Sequence, residues 1–172
     1  MRQERKPNSM SSRLILTILL VHLISTAAMF GVIWQVQLIT YPQFASVESV
    51  SFPQFHHQYC QRITWIVGPL MTLELVSSAA SVLALWHSQW RSWSVVSLAL
   101  VIAMWGVTAL VQVPQHEVLS FGFDSEVADA LVSGNWLRVI GWTAHLAVIS
   151  FIFFSSRAGT LLSTCREELP SV

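Results

Sequence analysis

Two groups of residues in this chain have the types and the spacing to do chemistry. The first lies inside apolar sequence. Glu74 is the one charged residue in the stretch 63–86. A carboxyl group in hydrocarbon costs a few kcal/mol unless it is paired, so Glu74 is a functional candidate by default. Ser77, Ser78 and Ser81 share its helical face at i+3, i+4 and i+7. In the last apolar stretch His145 aligns with Gly141, Trp142 and Arg138; in the first, His22 aligns with Ser25, Thr26 and Met29. In the third, Trp105, Thr108 and Gln112 align. Turned inward, these stripes bring His145 to nearly the depth of Glu74, with His22 slightly deeper. A Glu74–His145 acid/base pair is therefore expected, each group satisfying the other away from water, with His22 and Trp142 beside it as ligand-contacting side chains. Three readings stay open for this polar interior: glue between helices, a proton or redox role, or a ligand or metal pocket.

The second group surrounds the start of the second stretch. Phe55-His56-His57-Gln58-Tyr59-Cys60-Gln61-Arg62 sets His56 and Cys60 at i, i+4 and His57 and Cys60 at i, i+3. Imidazole and thiolate together suit a soft metal, and His116, two residues after Pro114, can supply a third ligand. His56, His57, Cys60 and His116 are thus the metal candidates, against the plainer reading of histidines anchored among headgroups; no C-x-x-C or H-E-x-x-H spacing reinforces them. Arg62 and Arg138 each precede an apolar stretch and are the candidates for holding an anionic or carbonyl-bearing ligand, the alternative being snorkelling to the interface. No Gly-rich phosphate loop, G-x-S-x-G elbow or dinucleotide fingerprint is present, so no motif names a cofactor.

The elements that must position these groups follow from composition. Of 172 residues, 53% are hydrophobic and 10% charged, where a soluble domain carries about 25% charged residues. Nine basic residues balance nine acidic ones, which gives no hold on nucleic acid, and two cysteines cannot build a disulfide scaffold. Four stretches, at about 14–36, 63–86, 93–113 and 137–156, match the ~20 apolar residues a helix needs to cross a bilayer. Only helices or closed barrels satisfy their backbone in lipid, and strand-like alternation is missing. The expected fold is all-α: one integral membrane domain over 1–172, a four-helix bundle with longer connections at 37–62 and 114–136.

Charge distribution gives the expected orientation. Arg2, Arg5, Lys6, Arg13, Arg91, Arg157 and Arg166 cluster at the termini and in the tight connection before the third stretch, against Glu4, Glu167 and Glu168. The longer connections hold Glu48, Glu117, Asp124, Glu126 and Asp129 against Arg62 and Arg138. Basic residues accumulate on the cytoplasmic side, so both termini are expected there and the long connections outside. Cys60 and Cys165 then fall on opposite sides, too far apart for a disulfide. Tyr41-Pro42 is expected to break the chain after the first span and Val113-Pro114 after the third. Pro53 is expected to start a helix that runs on into the second span, loosened at Gly68-Pro69. A short helix is expected over 124–132, punctuated by Ser133-Gly134-Asn135.

Several of these motifs together resemble a known pattern. Tyr41-Pro42, the His-rich turn ending in Arg62, Pro69 with Glu74, Val113-Pro114 with His116, and Asn135-Trp136-Leu137-Arg138 look like those of small bacterial four-helix integral membrane proteins. More remotely they are similar to the anthrone oxygenase-like membrane family, over roughly 34–145. His116 departs from that remoter family, which tends to carry an amide there. The resemblance implies a four-helix bundle in a bacterial plasma membrane.

The leading functional expectation is a multi-pass membrane protein with an outward-opening polar pocket for a hydrophobic or anionic small molecule. The alternatives are a small oxidoreductase or oxygenase-like enzyme acting on an aromatic or quinone-like substrate, and a non-enzymatic accessory subunit. Expected partners are the lipid bilayer, a hydrophobic small molecule and a second copy of the chain, but no nucleic acid.

Overall fold

The computed structural model describes residues 12–167, with side chains described for 12–156. Arg2, Glu4, Arg5 and Lys6, and the side chains of Arg157, Cys165, Arg166, Glu167 and Glu168, lie outside the described residues, and with them part of the charge asymmetry and the Cys60–Cys165 separation. The described chain is all-helical: α1 (Ser12–Gln35), α2 (Tyr41–Gln43), α3 (Phe52–Ala84), α4 (Arg91–Val107), α5 (Val113–Leu119) and α6 (Ser125–Glu167). Four helical segments are long and apolar enough to cross a membrane: Ser12–Ser46, Phe52–Ala84, Arg91–Leu119 and Ser125–Ser156.

These helices expose apolar side chains outward and bury polar ones inside beside an apolar core that includes Met29, Ile33, Trp142 and Ile149. Ile24, Leu83, Leu110 and Phe154 are well exposed, while His22, Ser78, Ser94, Ser97 and His145 are fully buried. Helices with such exteriors, when they lie in lipid, associate through close packing and polar contacts. Small side chains serve that packing: Ser25 and Thr26 on α1, Ser77, Ser78 and Ser81 on α3, and Ser94 and Ser97 on α4 are all buried. The Met104 side chain lies against the bare backbone of Gly141, where a Cβ would overlap its sulfur.

The longer connections differ from the expectation. Most of 37–62 and 114–136 is helix, leaving true turns near 47–51 and 120–124. Neither Tyr41-Pro42 nor Val113-Pro114 ends its helix. Each follows a π-helical turn, Val36–Thr40 in one case and Thr108–Gln112 in the other. A proline has no N–H to give to the preceding turn, and a wide turn carries the chain past that gap without ending the helix. Such bulges are frequent at functional sites. Asp124 starts α6 by accepting from the N–H groups of Glu126 and Val127 at 2.9 and 3.1 Å, a side-chain N-cap. The expected break at Ser133-Gly134-Asn135 does not occur; α6 runs straight through. Gly134 instead makes room for a neighbour, since a Cβ there would come within 3.3 Å of Gln112 Nε2. Pro53 opens α3 as anticipated, and the helix continues past Pro69.

Candidate functional site

The buried stripes of α1, α3, α4 and α6 meet in one hydrogen-bonded array. Glu74 Oε1 lies 2.8 Å from His145 Nδ1, and Trp142 Nε1–H donates to Glu74 Oε2 at 2.8 Å. On its other side His145 Nε2 lies 2.8 Å from Ser97 Oγ and 3.0 Å from His22 Nε2. His22 Nδ1 reaches Ser81 Oγ at 3.1 Å, and Ser81 donates its own hydroxyl proton to the Ser77 carbonyl at 2.8 Å.

The proton positions follow from this geometry. Ser81 spends its one proton on Ser77, so it must accept from His22 Nδ1–H. His22 is then neutral at Nε2 and presents a lone pair to His145 Nε2. Two lone pairs cannot face each other at 3.0 Å, so His145 Nε2 carries a proton. One further proton sits on the Glu74–His145 axis, on the carboxyl or on the ring. Either way the array is electrically neutral overall, as a low-dielectric interior requires. It is a continuous donor–acceptor chain from Trp142 to the Ser77 carbonyl.

Trp142 links this array to a second region. Its ring stacks beneath the Arg138 guanidinium, 5.3 Å from centroid to Cζ. Arg138 is 5% exposed. Its Nη1 donates to Asn135 Oδ1 at 3.2 Å, and Asn135 Nδ2 in turn donates to Gln37 Oε1 at 2.8 Å. Arg138 Nε has no hydrogen-bond partner. Among the described residues no carboxylate lies within ion-pairing distance of it; the Glu74–His145 pair is the one ion pair there. Arg138 lines a cavity of about 160 Å³ together with Tyr41, Tyr59, Ile63, Val67 and His116.

The third region is the end of the bundle that carries the 47–51 and 120–124 turns. His56 Nε2 lies 3.0 Å from His116 Nδ1, and Cys60 Sγ lies 3.7 Å from His56 Nε2 and 3.8 Å from His116 Nδ1. Tyr41 donates to Gln112 Oε1 at 3.2 Å and sits 3.0 Å from His116 Nε2. Phe44, Phe52 and Tyr59 pack around the His56 ring.

The sequence-derived candidates therefore divide. Glu74, His145, His22 and Trp142 come together, though Trp142 contacts the carboxyl group and not the cavity. Arg138 faces the cavity; Arg62 is exposed and is not among its lining residues. His56, Cys60 and His116 converge, whereas His57 is exposed and bonded to Gln61 at 3.0 Å. At i, i+3 from Cys60, His57 shares the side of the helix but not the inward face. The third-span stripe also shifts. The buried face of α4 is Ser94, Ser97, Val101 and Met104, while Trp105 is partly exposed and reaches the Met71 carbonyl at 3.4 Å.

Ser97, Gln37 and Tyr59 were not singled out by sequence reasoning. Ser97 carried a signal: with Ser94 it forms an i, i+3 small polar pair in an apolar span. Gln37 and Tyr59 carried none, because their neighbours are set by the π-turn and by contacts distant in sequence. No family model, no curated protein and no solved structure matches this chain.

Proposed function

We propose that the chain is a multi-pass membrane protein, with both termini cytoplasmic, that binds a small hydrophobic molecule carrying a carboxylate or quinone-type carbonyl. The ligand sits in the Tyr41/Tyr59/His116 cavity with Arg138 as its anchor. One observation carries this reading: a buried guanidinium with no carboxylate partner and an unsatisfied Nε stands in the wall of an open cavity. A buried charge without a counter-charge is costly, and an acidic or strongly polarised ligand oxygen removes that cost. The Trp142 ring face beneath the guanidinium helps hold the cation at the cavity wall. The walls, Ile63 and Val67 among them, suit an apolar body entering from lipid.

Native mass spectrometry of protein extracted in mild detergent tests it, with benzoate and 1,4-naphthoquinone as added ligands. The expected result is a retained or added small molecule on the wild type that is lost in Arg138→Met, which keeps the stem and removes the guanidinium. Ile63→Trp, which fills the cavity and leaves Arg138 in place, should lose it too. Equal binding by all three proteins refutes the reading.

A second reading is favoured by the continuity from Arg138 through Trp142 to Glu74, His145 and His22. In it the array lies one indole ring away from the bound ligand and sets the charge environment of Arg138, in a small membrane oxidoreductase or oxygenase-like enzyme whose electrons come from an external donor or acceptor. Glu74→Gln separates the two readings. A pure binding protein keeps its function in vivo, whereas an enzyme keeps its ligand and loses turnover.

A further inference from the structure

We propose that His56, Cys60 and His116 form a metal site for one copper(I) ion, held by a thiolate and two neutral imidazoles at the 47–51/120–124 end of the bundle. The three ligand atoms belong to α3 and α5, and no Asp or Glu joins their group. Their separations are 3.0 Å between the nitrogens and 3.7 and 3.8 Å from sulfur to each. A cation about 2.0–2.1 Å from both nitrogens and about 2.3 Å from sulfur fits between them without moving any of the three, at angles of roughly 95–120°. The three angles sum to about 330°, so the ion sits about 0.6 Å out of the ligand plane, at the apex of a shallow three-coordinate pyramid.

The surroundings prepare His116, while His56 Nε2 holds the proton between the two rings and passes it to Nδ1 when an ion binds. Tyr41 gives its proton to Gln112, so its oxygen accepts from His116 Nε2–H. That bond leaves the Nδ1 lone pair of His116 directed at the other two ligands, the outer support by which metal-binding histidines are commonly oriented. His56 is fully buried and clamped between Phe52 and Phe44. Cys60 and His116 also border a second cavity, with Glu117 and Ser120, through which an ion can arrive.

Charge selects among metals of the right softness. Thiolate and imidazole suit both zinc and copper. With one thiolate, a divalent ion leaves the three ligands at +1, beside the Arg138 that shares a cavity wall with His116, and must call on Glu117 in the second cavity as counter-charge. A monovalent ion leaves them neutral. Binding deprotonates the Cys60 thiol, so one proton is released for each ion bound.

The test uses the full chain with Cys165→Ser, in nanodiscs, titrated with copper(I) against a chromophoric chelator and separately with zinc(II). The expected result is one copper(I) per chain, with one proton released. Affinity should fall more than about 100-fold in Cys60→Ser and about 10-fold in Tyr41→Phe, the range seen when an outer-sphere partner is lost. His57→Ala should bind as the parent does. X-ray absorption on the copper-loaded parent should show one sulfur and two nitrogens, and it stands even where a variant does not fold. Stoichiometric zinc with no copper(I) overturns the choice of ion. No ion at all, a site without sulfur, or equal binding by Cys60→Ser overturns the site. None of these outcomes depends on whether Arg138 binds a ligand.

Discussion

Replacing Glu74 distinguishes a carboxyl group needed for its hydrogen bonds from one needed for its charge. In the structure Glu74 receives Trp142 Nε1–H and meets His145 Nδ1, both at 2.8 Å. Glu74→Gln can keep both contacts. Its amide oxygen accepts from Trp142, and its NH₂ donates to His145 Nδ1 once the ring holds its proton at Nε2 alone. That is the tautomer His22 already requires, because the His22 lone pair faces His145 Nε2 at 3.0 Å. The amide thus stands in for a protonated carboxyl, and the substitution should change stability by no more than about 0.5 kcal/mol. Glu74→Ala removes both contacts. Interhelical bonds in membrane proteins are worth about 0.6 kcal/mol on average and about 1.7 at most. Two of them place the alanine variant roughly 1–3 kcal/mol below wild type, before any cost of the space left behind. Unfolding by mixed-micelle titration, followed by tryptophan fluorescence, measures both variants. If glutamine costs as much as alanine, the shared proton sits on the His145 ring and the pair is held by ionic charge. If alanine costs less than about 0.5 kcal/mol, the array carries no stability at all.

Three other outcomes follow from the same geometry. Asn135→Asp sets a carboxylate where Arg138 Nη1 now meets an amide oxygen at 3.2 Å; with the Gln37 amide turned so that its NH₂ donates to the new oxygen, it should supply the missing counter-charge, preserve the fold and weaken benzoate binding at least about tenfold, as measured by calorimetry. Gly141→Val forces a side chain into Met104 and should destabilise the bundle by about 1–3 kcal/mol, whereas Gly106→Val, with nothing within 4 Å of its Cβ, should not; thermal unfolding of the two side by side checks this. In a background lacking native cysteines, a membrane-impermeant maleimide added to intact cells should label Val50→Cys and Phe121→Cys but not Ser88→Cys; a common response from Val50→Cys and Ser88→Cys would sink the proposed topology.

Much of the bundle is legible in the residues themselves. Each apolar stretch is helical, the form that satisfies its backbone amides within the segment itself. The faces Glu74–Ser77–Ser78–Ser81, His22–Ser25–Thr26–Met29 and Arg138–Gly141–Trp142–His145 are local facts of helical periodicity, and all three faces are buried in the structure. The nearly equal depth of Glu74 and His145 followed from counting residues along straight helices. Arithmetic of that kind failed where the helix stops being regular. The π-turn at Thr108–Gln112 rotates everything beyond it, so the stripe drawn through Trp105, Thr108 and Gln112 does not describe one face.

Local sequence therefore specifies the set of helices, their apolar exteriors and the polar residues each turns inward, because those depend on neighbours within about two turns. Tertiary structure decided the rest. It chose Arg138 over Arg62 as the buried cation, and His56 over His57 as the partner of Cys60 and His116. Each choice turns on about 100° of rotation per residue around a helix axis, and only contact with the neighbouring helices fixes the direction in which a given side chain points.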